Sequence, residues 1–503
     1  MSARILRVIP NRYYDSVKLL RVSERLEAIP GIHLAAAVMG TPMNMELLVD
    51  EGFAVTSARP DDLVVAVRAE DNVAAEGAIR EMEALLAESP RSVESIAASP
   101  RSIESAIRLH SGTNLAVIAV PGPHAALEAW AAIRAGLNVF LFSDNVAIED
   151  EVRLKVAAAE RGLLVMGPDC GTAILDGVGI GFANRVRRGS VGIVGASGTG
   201  IQQVACLLHE AGGGVAQAIG TGSRDLGSEV GGIMTLAAID RLVNDEDVEC
   251  IALISKPADP VVAGRVLGRL AEGGKPAVAC MLGTSVVHPG VANARTLTAA
   301  ADLLLGRSAE QTVPSNASGS DPDRNAVLST GIAPDTGQHR IASSCQRHGT
   351  DRKLVALYCG GTLCQEAERI VTDAGNASHT FVDLGEDRYT KGRAHPMIDP
   401  RIRSAMMESA GDDADVLLFD VVLGDLAHRD PAGVVAATLH EAKARAQARG
   451  HDIQFFAALI GTDLDPQGFD GQMRTLVCAG VRVSISNETA ALWAARALAE
   501  VGP

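Results

Sequence analysis

Short runs of Val, Ile, Leu and Ala alternate along most of this chain with stretches whose apolar positions recur at helical spacing. The runs suit strands buried on both faces of a parallel sheet, and the spaced stretches suit amphipathic helices that cover it. Residues 115–120, 139–142 and 163–166 are runs of this kind, with helical patterns at 124–135 and 148–161 between them. That βαβαβ order predicts a Rossmann-like, doubly wound unit over residues 113–188. The alternation repeats over 189–307, with strands at 191–194, 215–219, 249–254 and 277–282 and helices at 200–211, 229–243 and 260–271. It resumes at residue 354 and predicts a further flavodoxin-like domain over 351–503.

The flanking segments differ. Residues 1–88 predict strands at 5–10, 33–39 and 63–68 and helices at 15–26 and 73–87, a small α+β module suited to regulation or assembly. Residues 89–112 carry a short repeat, Pro90-Arg-Ser-Val-Glu-Ser and Pro100-Arg-Ser-Ile-Glu-Ser, which reads as a linker with short helical pieces begun by the serines. Residues 308–350 are rich in Ser, Asn, Asp, Gly and Pro without periodicity and read as an exposed linker.

Composition narrows the function classes. A length of 503 residues predicts three or four domains at roughly 100–200 residues each. A net charge of −16 argues against a nucleic-acid partner, because phosphate backbones need clustered Lys and Arg. An anionic ligand must then be held by backbone N–H groups and a few placed cations. No run of about 18 apolar residues predicts a membrane span, and the start lacks the apolar core of a secretory signal, so a cytoplasmic protein is expected. The eight cysteines are scattered, none in a Cys-x-x-Cys pair, which predicts reduced thiols and no metal site.

The strongest local signal is Val191-Gly-Ile-Val-Gly-Ala-Ser-Gly-Thr-Gly-Ile-Gln-Gln-Val204. A strand ends in small residues and a helix begins at once. Ser197, Gly198, Thr199 and Gly200 leave backbone amides uncovered at a positive helix end, where a phosphate or carboxylate fits. The spacing matches neither a Walker A loop nor a dinucleotide fingerprint, so neither ATP nor NAD is implied; a tight turn without a ligand would use the same residues. Gly360, Gly361 and Thr362 repeat the device, suggesting two opposed helix starts that grip one anion. Arg224, in Gly220-Thr-Gly-Ser-Arg-Asp-Leu-Gly227, is either a carboxylate clamp or a solvated loop residue. Asp169 and Cys170, in Gly167-Pro-Asp-Cys-Gly-Thr172, fall at a strand's carboxyl edge, where ligands bind; a structural thiol is the plainer reading of Cys170. The polar loop 383–400 offers Arg388, Lys391, Arg393 and His395 as substrate-facing groups, and Lys256 leaves an apolar strand as either a cap or a phosphate partner.

These strings resemble succinyl-CoA synthetase and its relatives. Gly-Pro-Asp-Cys-Gly 167–171, Val-Gly-Ile-Val 191–194, Ser-Gly-Thr 197–199 and Gly220–Gly227 are similar to its α subunit, and 352–498 to the ligase-type domain of its β subunit. Leu-Phe-Ser-Asp-Asn-Val 141–146, Gly-Ala-Ser-Gly-Thr-Gly 195–200, Ala-Ile-Gly-Thr-Gly 218–222 and His-Pro-Met-Ile-Asp-Pro 395–400 fit the FdrA group, which fuses these parts behind an N-terminal module. The resemblance implies a CoA-binding-type domain at 113–188 and two flavodoxin-like ligase-type domains. An ATP-grasp domain and the synthetase's Gly-His-Ala-Gly phosphohistidine motif are both missing. His288 lies nearby in another context, and Lys256 stands where the family has the glutamate that contacts that histidine. A lysine suits a bound phosphoanion, so direct use of an acyl phosphate is expected, without a required cofactor.

Members of the group imply a subunit of oxamate carbamoyltransferase in allantoin breakdown, turning oxalurate and phosphate into oxamate and carbamoyl phosphate for a carbamate kinase. Under that reading the helix starts and Lys256 hold carbamoyl phosphate, and Arg224 or Arg393 orients the oxamate carboxylate. A companion subunit and a homo- or hetero-oligomer are expected. A CoA ligase with CoA in 113–188, and a non-catalytic scaffold subunit, are the alternatives.

Overall fold

The computed structural model describes residues 3–12, 14, 16–27, 29–41, 44–45, 48–49, 51–54, 58–87, 100, 102–306, 352–374, 379–390 and 394–499. The expected linker at 308–350, and residues 89–99 and 101 of that at 89–112, lie outside them. The chain divides into two units, Met1–Ser99 and Pro100–Pro503.

In the first unit, strand Leu63–Ala69 lies between Ala3–Ile9 and Ile32–Met39 and is antiparallel to both. Its side chains alternate. Val65 and Val67 join Leu19, Val22, Leu26, Ile79 and Met82 of helices Ser16–Glu27 and Asn72–Ala87, while Val64 and Ala66 meet Leu34, Leu48 and Phe53 on the other face. A strand buried on both faces has no polar position to spare, which is why this one reads Leu-Val-Val-Ala-Val.

The second unit opens with helix Ile103–Leu109, begun by the expected serine. The Ser102 hydroxyl accepts from Ser105 N at 3.2 Å, and the Ser105 hydroxyl accepts from Ser102 N at 3.0 Å, so two otherwise orphaned amides are satisfied reciprocally. Three parallel strands follow, Leu115–Ile118, Asn138–Leu141 and Val165–Met166, with helices Gly122–Arg134 and Ile148–Ala159 between them. The predicted βαβαβ unit is present. Strands Thr172–Leu175 and Val178–Gly181, which the sequence pattern keeps with 113–188, instead form an antiparallel hairpin that pairs into the next sheet through Ile174 and Ala218. Periodicity identifies a strand but carries no information about which sheet receives it.

The next two sheets repeat one topology. The first runs Val215–Gly220, Val191–Ala196, Cys250–Ser255, Ala277–Met281, Ala292–Asn293, and the second runs Thr380–Asp383, Leu354–Tyr358, Val416–Val422, Gln454–Ile460, Val481–Ser484. All pairs among these strands are parallel. Each sheet has the flavodoxin order 2-1-3-4-5, whose strand order reverses between the first and third strands, and ligands bind at the carboxyl ends there. In the first sheet that point is Ser197 and Lys256, and in the second it is Cys359–Gly361 and Leu423.

One core joins the two sheets. Ile201, Val204 and Leu208 of helix Gly198–Glu210 share it with Leu363, Ala367 and Val371 of helix Gly361–Asp373 and with Trp493 of helix Asn487–Ala499. Polar contacts fix the register. Buried Glu366 accepts from Leu297 N at 2.7 Å and from Asn487 Nδ2 at 2.8 Å, and the Tyr358 hydroxyl donates to Asn487 Oδ1 at 3.0 Å. The segment after the hairpin is threaded against the last sheet. Buried Asn184 donates to the Leu423 carbonyl at 2.9 Å and to Asp465 at 2.8 Å, and the Thr462 hydroxyl donates to the Arg185 carbonyl at 2.6 Å.

Candidate functional site: two opposed helix starts

Ser197 caps helix Gly198–Glu210 in an extended conformation, its hydroxyl accepting from Gly200 N at 3.0 Å. The same hydroxyl lies 2.7 Å from the Thr362 hydroxyl of the other ligase-like domain. The two helix starts therefore touch, as the doubled motif suggests. A Cβ on Gly360 would lie 2.6 Å from Thr199 Cγ2, and one on Gly361 would lie 2.6 Å from Lys256 Nζ and would collide with the Asp383 carboxylate. The side chains of Thr199, Asp383 and Lys256 thus converge on the space beside these two glycines.

Each helix start contributes roughly half a positive charge, so two facing ends concentrate positive potential in one place. The amides of Gly198, Thr199, Gly361 and Thr362 have no acceptor among the described residues. Lys256 joins them, with its ammonium 4.0 Å from Asp383. Gly360 departs from expectation as an anion donor. Its amide and that of Cys359 each donate at 2.9 Å to the two oxygens of Asp420, so the second cradle begins one residue later. Asp420 is fully buried, and burial pushes its carboxyl above the usual range, with Arg403 at 3.7 Å opposing that shift.

His395 reaches the same edge but not as a cation. Its Nδ1 accepts from Met397 N at 3.2 Å, its ring packs 5.2 Å from that of Phe182, and burial lowers its pKa to about 4. With Nδ1 accepting, the ring proton sits on Nε2, which faces the turn at Gly385. It can donate a neutral hydrogen bond there but supplies no charge.

Other candidates fall elsewhere. Arg224 pairs with Glu151 at 2.7 Å and donates to the Val146 carbonyl at 2.8 Å, both through the same terminal nitrogen, so that end of the side chain ties two parts of the protein together. Glu151 belongs to a fully buried cluster in which Lys155 donates to Glu151 at 2.7 Å, to Asp225 at 2.8 Å and to the Thr221 carbonyl at 2.9 Å. Two cations against two carboxylates leave the cluster neutral, the condition for burying charge. Cys170 is 3% exposed, its Sγ faces the Thr172 carbonyl at 3.6 Å, and burial pushes its pKa up to about 12. It is a structural thiol, neither nucleophile nor ligand group. Asp169 sits exposed in a left-handed turn (φ 55°) at the carboxyl edge of the three-stranded sheet, where the sequence places it. Arg393 and Lys391 lie outside the described residues. His288 folds onto its own turn, with Nδ1 accepting from Gly290 N at 3.1 Å. None of the atoms nearest Gly198, Gly200, Gly360 and Gly361 belongs to a histidine.

In 113–188, the domain given to CoA under the ligase alternative, the first helix start offers few uncommitted amides. The turn after strand Leu115–Ile118 reads Pro121-Gly-Pro123, which removes two amides. The amides of His124 and Ala125 donate to the Pro121 carbonyl at 2.8 and 3.1 Å, and the carbonyls of Asp144 and Asn145 fill the space where a side chain on residue 122 would go. Asp383 and Asp420 were not singled out from sequence. Both carried a signal, an acid closing an apolar strand and an acid inside Leu-Leu-Phe-Asp-Val-Val.

Family models match three parts of the chain: an AllF, heavy metal-associated domain over residues 1–101, a CoA-binding domain over 186–282 and a CoA-ligase domain over 357–497. The CoA-binding match thus covers the segment that the sequence pattern assigns to the first ligase-type domain. No cysteine precedes Cys170, and among the described residues no group of His, Cys, Asp and Glu stands ready to hold a metal. Succinate–CoA ligase [ADP-forming] subunit alpha 2 of Archaeoglobus fulgidus is 33% identical over 32% of this chain and 61% of its own. A dinucleotide-forming acetyl-coenzyme A synthetase 1 from Ca. Korarchaeum cryptofilum aligns over 77% of this chain and 83% of its own, at 14% identity and a TM-score of 0.30, too distant to bear on function. Protein YahF of Escherichia coli K12, described as uncharacterized, is 40% identical over 98% of both chains. This chain belongs to the YahF family, in which an AllF-type domain is joined to the CoA-binding and CoA-ligase domains of the succinyl-CoA synthetase superfamily.

Proposed function

We propose that this chain is the acyl-phosphate-handling subunit of a carbamoyltransferase that converts oxalurate and phosphate into oxamate and carbamoyl phosphate. The reading is carried by one observation. Two helix starts from duplicated domains converge with Lys256, a phosphoanion partner. Amides at Gly198, Thr199, Gly361 and Thr362 would bind the phosphate oxygens, and Lys256 would balance their charge. Charge that develops as phosphate attacks the carbamoyl carbon would meet donors already in place, so little reorganisation is needed. The match to the AllF domain supports a setting in allantoin breakdown. No cofactor takes part, and a companion subunit would hold the remainder of the substrate.

The CoA-binding match at 186–282 favours a second reading, an acyl-CoA ligase subunit. The deciding experiment incubates the full-length chain, alone and with its companion, with oxalurate, phosphate, ADP and a carbamate kinase, and follows ATP. ATP formation that depends on oxalurate is expected, as is its loss on Gly198→Val or Lys256→Met substitution. Tight binding of CoA with no binding of carbamoyl phosphate in calorimetry would favour the ligase. Full activity of both variants would leave the scaffold role.

A further inference from the structure

We propose that Asp383 carries the proton of the reaction, gaining it as the phosphate-bearing substrate enters between the helix starts and giving it to the departing nitrogen. The inference rests on the acyl-phosphate reading above. Asp383 ends the second strand of the last sheet, and its Oδ1 accepts from Gly385 N at 2.9 Å. Its Oδ2 lies 4.0 Å from Lys256 and occupies the space that a side chain on Gly361, the first residue of helix Gly361–Asp373, would need. A negative charge of the protein's own therefore already sits where the substrate's charge must go. Anion and carboxylate cannot both stay ionised so close together, and protonating the carboxylate relieves the conflict while leaving Lys256 to the phosphate.

The surroundings favour that outcome. Burial raises the pKa of Asp383, Lys256 and the Gly385 amide oppose that rise, and the carboxylates of Glu386 and Asp420 add to it, with a raised pKa as the net result. Arg403 does not help, because it is committed to Asp420 and the Asp420 carbonyl. His395 is neutral and holds its only proton in a poor acid.

The chemistry needs such a group. A phosphate oxygen forms a bond to the carbamoyl carbon of the ureide, and the bond from that carbon to the oxamate nitrogen breaks. The electron pair goes to nitrogen, which must be protonated because an amide anion is a poor leaving group. Asp383 supplies that proton and recovers one from the hydrogen phosphate as carbamoyl phosphate dianion forms, so the cycle closes without any other reagent.

The test uses the full-length chain and inorganic phosphate. Calorimetry in two buffers of different ionisation heat should show proton uptake on binding by the wild type, approaching one, and none for Asp383→Asn. Turnover of oxalurate by Asp383→Asn should fall by about 100-fold or more, with the phosphate KM unchanged or lower and the alkaline limb of the pH profile gone. Asp383→Glu should restore part of the rate, and unchanged melting of both variants excludes misfolding. Phosphate binding without proton uptake, or an Asp383→Asn chain within threefold of wild type and with the same alkaline limb, overturns the proposal. A wild type that takes up the proton through Asp383 but cleaves no oxalurate supports the coupling and removes the carbamoyl reading.

Discussion

Replacing Gly361 by alanine adds one methyl group at the meeting point of the two domains. That carbon would stand 2.6 Å from Lys256 Nζ and would overlap the Asp383 carboxylate. Elsewhere in a helix the change is mildly favourable, by up to ~1 kcal/mol. Here the obstructing atoms are ends of side chains. Lys256 is one-third exposed and can swing away, while Asp383, anchored to Gly385 N, yields less easily. The two effects nearly offset each other, so the unfolding midpoint should move by no more than about 1 kcal/mol in equivalent stability. Anion binding should suffer far more. Moving Lys256 off the site and misaligning one charge-assisted amide bond costs about 3 kcal/mol, which is about 100-fold in affinity. Calorimetric titration with phosphate and carbamoyl phosphate, paired with a urea melt, separates the two quantities. Wild-type affinity in a normally folded Gly361→Ala protein would refute the placement of the anion between the helix starts.

Other substitutions probe the frame around the site. Glu366, fully buried at the seam between the ligase-like domains, has a pKa raised to about 7, chiefly by burial, from an ordinary 4.5. An acid whose folded pKa is raised contributes its full stability below 4.5 and loses it as pH climbs towards 7. Wild-type stability should therefore fall by about 3 kcal/mol across that window, and urea melts of Glu366→Gln should lack that slope. Lys155→Met would leave Glu151 and Asp225 buried with one cation fewer, and should lower stability by about 3–5 kcal/mol in denaturant titration. A brief maleimide pulse on the native chain should label exposed Cys478 and spare Cys170 and Cys359, as read by peptide mapping, because burial holds both of those thiols protonated.

Much of the architecture was legible because buried parallel strands announce themselves as unbroken apolar runs, and each small-residue string after such a run marks a helix start. Ser197 and Thr362 could be paired in thought for that reason. Arg224 could not be placed, because its partner Glu151 lies four residues before Lys155 on a helix, a spacing that ordinarily marks a solvated ion pair. Sequence shows the pair but not that both members are fully buried. His395 misled in a similar way, since its charge is decided by burial, reinforced by Arg403, in a pocket that Phe182, remote in sequence, helps to form. Gly360 looked like a cradle residue because nothing local reveals that Asp420, sixty positions on, takes its amide. Local chemistry was readable where the backbone makes the site, and unreadable where a distant side chain claims it.

Asn184 and its threaded neighbours also bear on how the chain is born. The partners of Asn184 lie 239 and 281 residues further along, and Thr362 lies 165 residues beyond Ser197. At ribosomal speeds of about 5–20 residues per second, the Asn184 side chain waits on the order of 15–60 s for its acceptors, and the first helix start waits about 8–33 s for the second. During that interval the first flavodoxin-like sheet can form, but the face of helix Gly198–Glu210 that will meet the last domain has nothing to cover it. The nascent protein therefore passes through a stage with an exposed apolar flank and half an anion site, a stage at which chaperone binding and premature pairing between neighbouring chains on one message compete with completion.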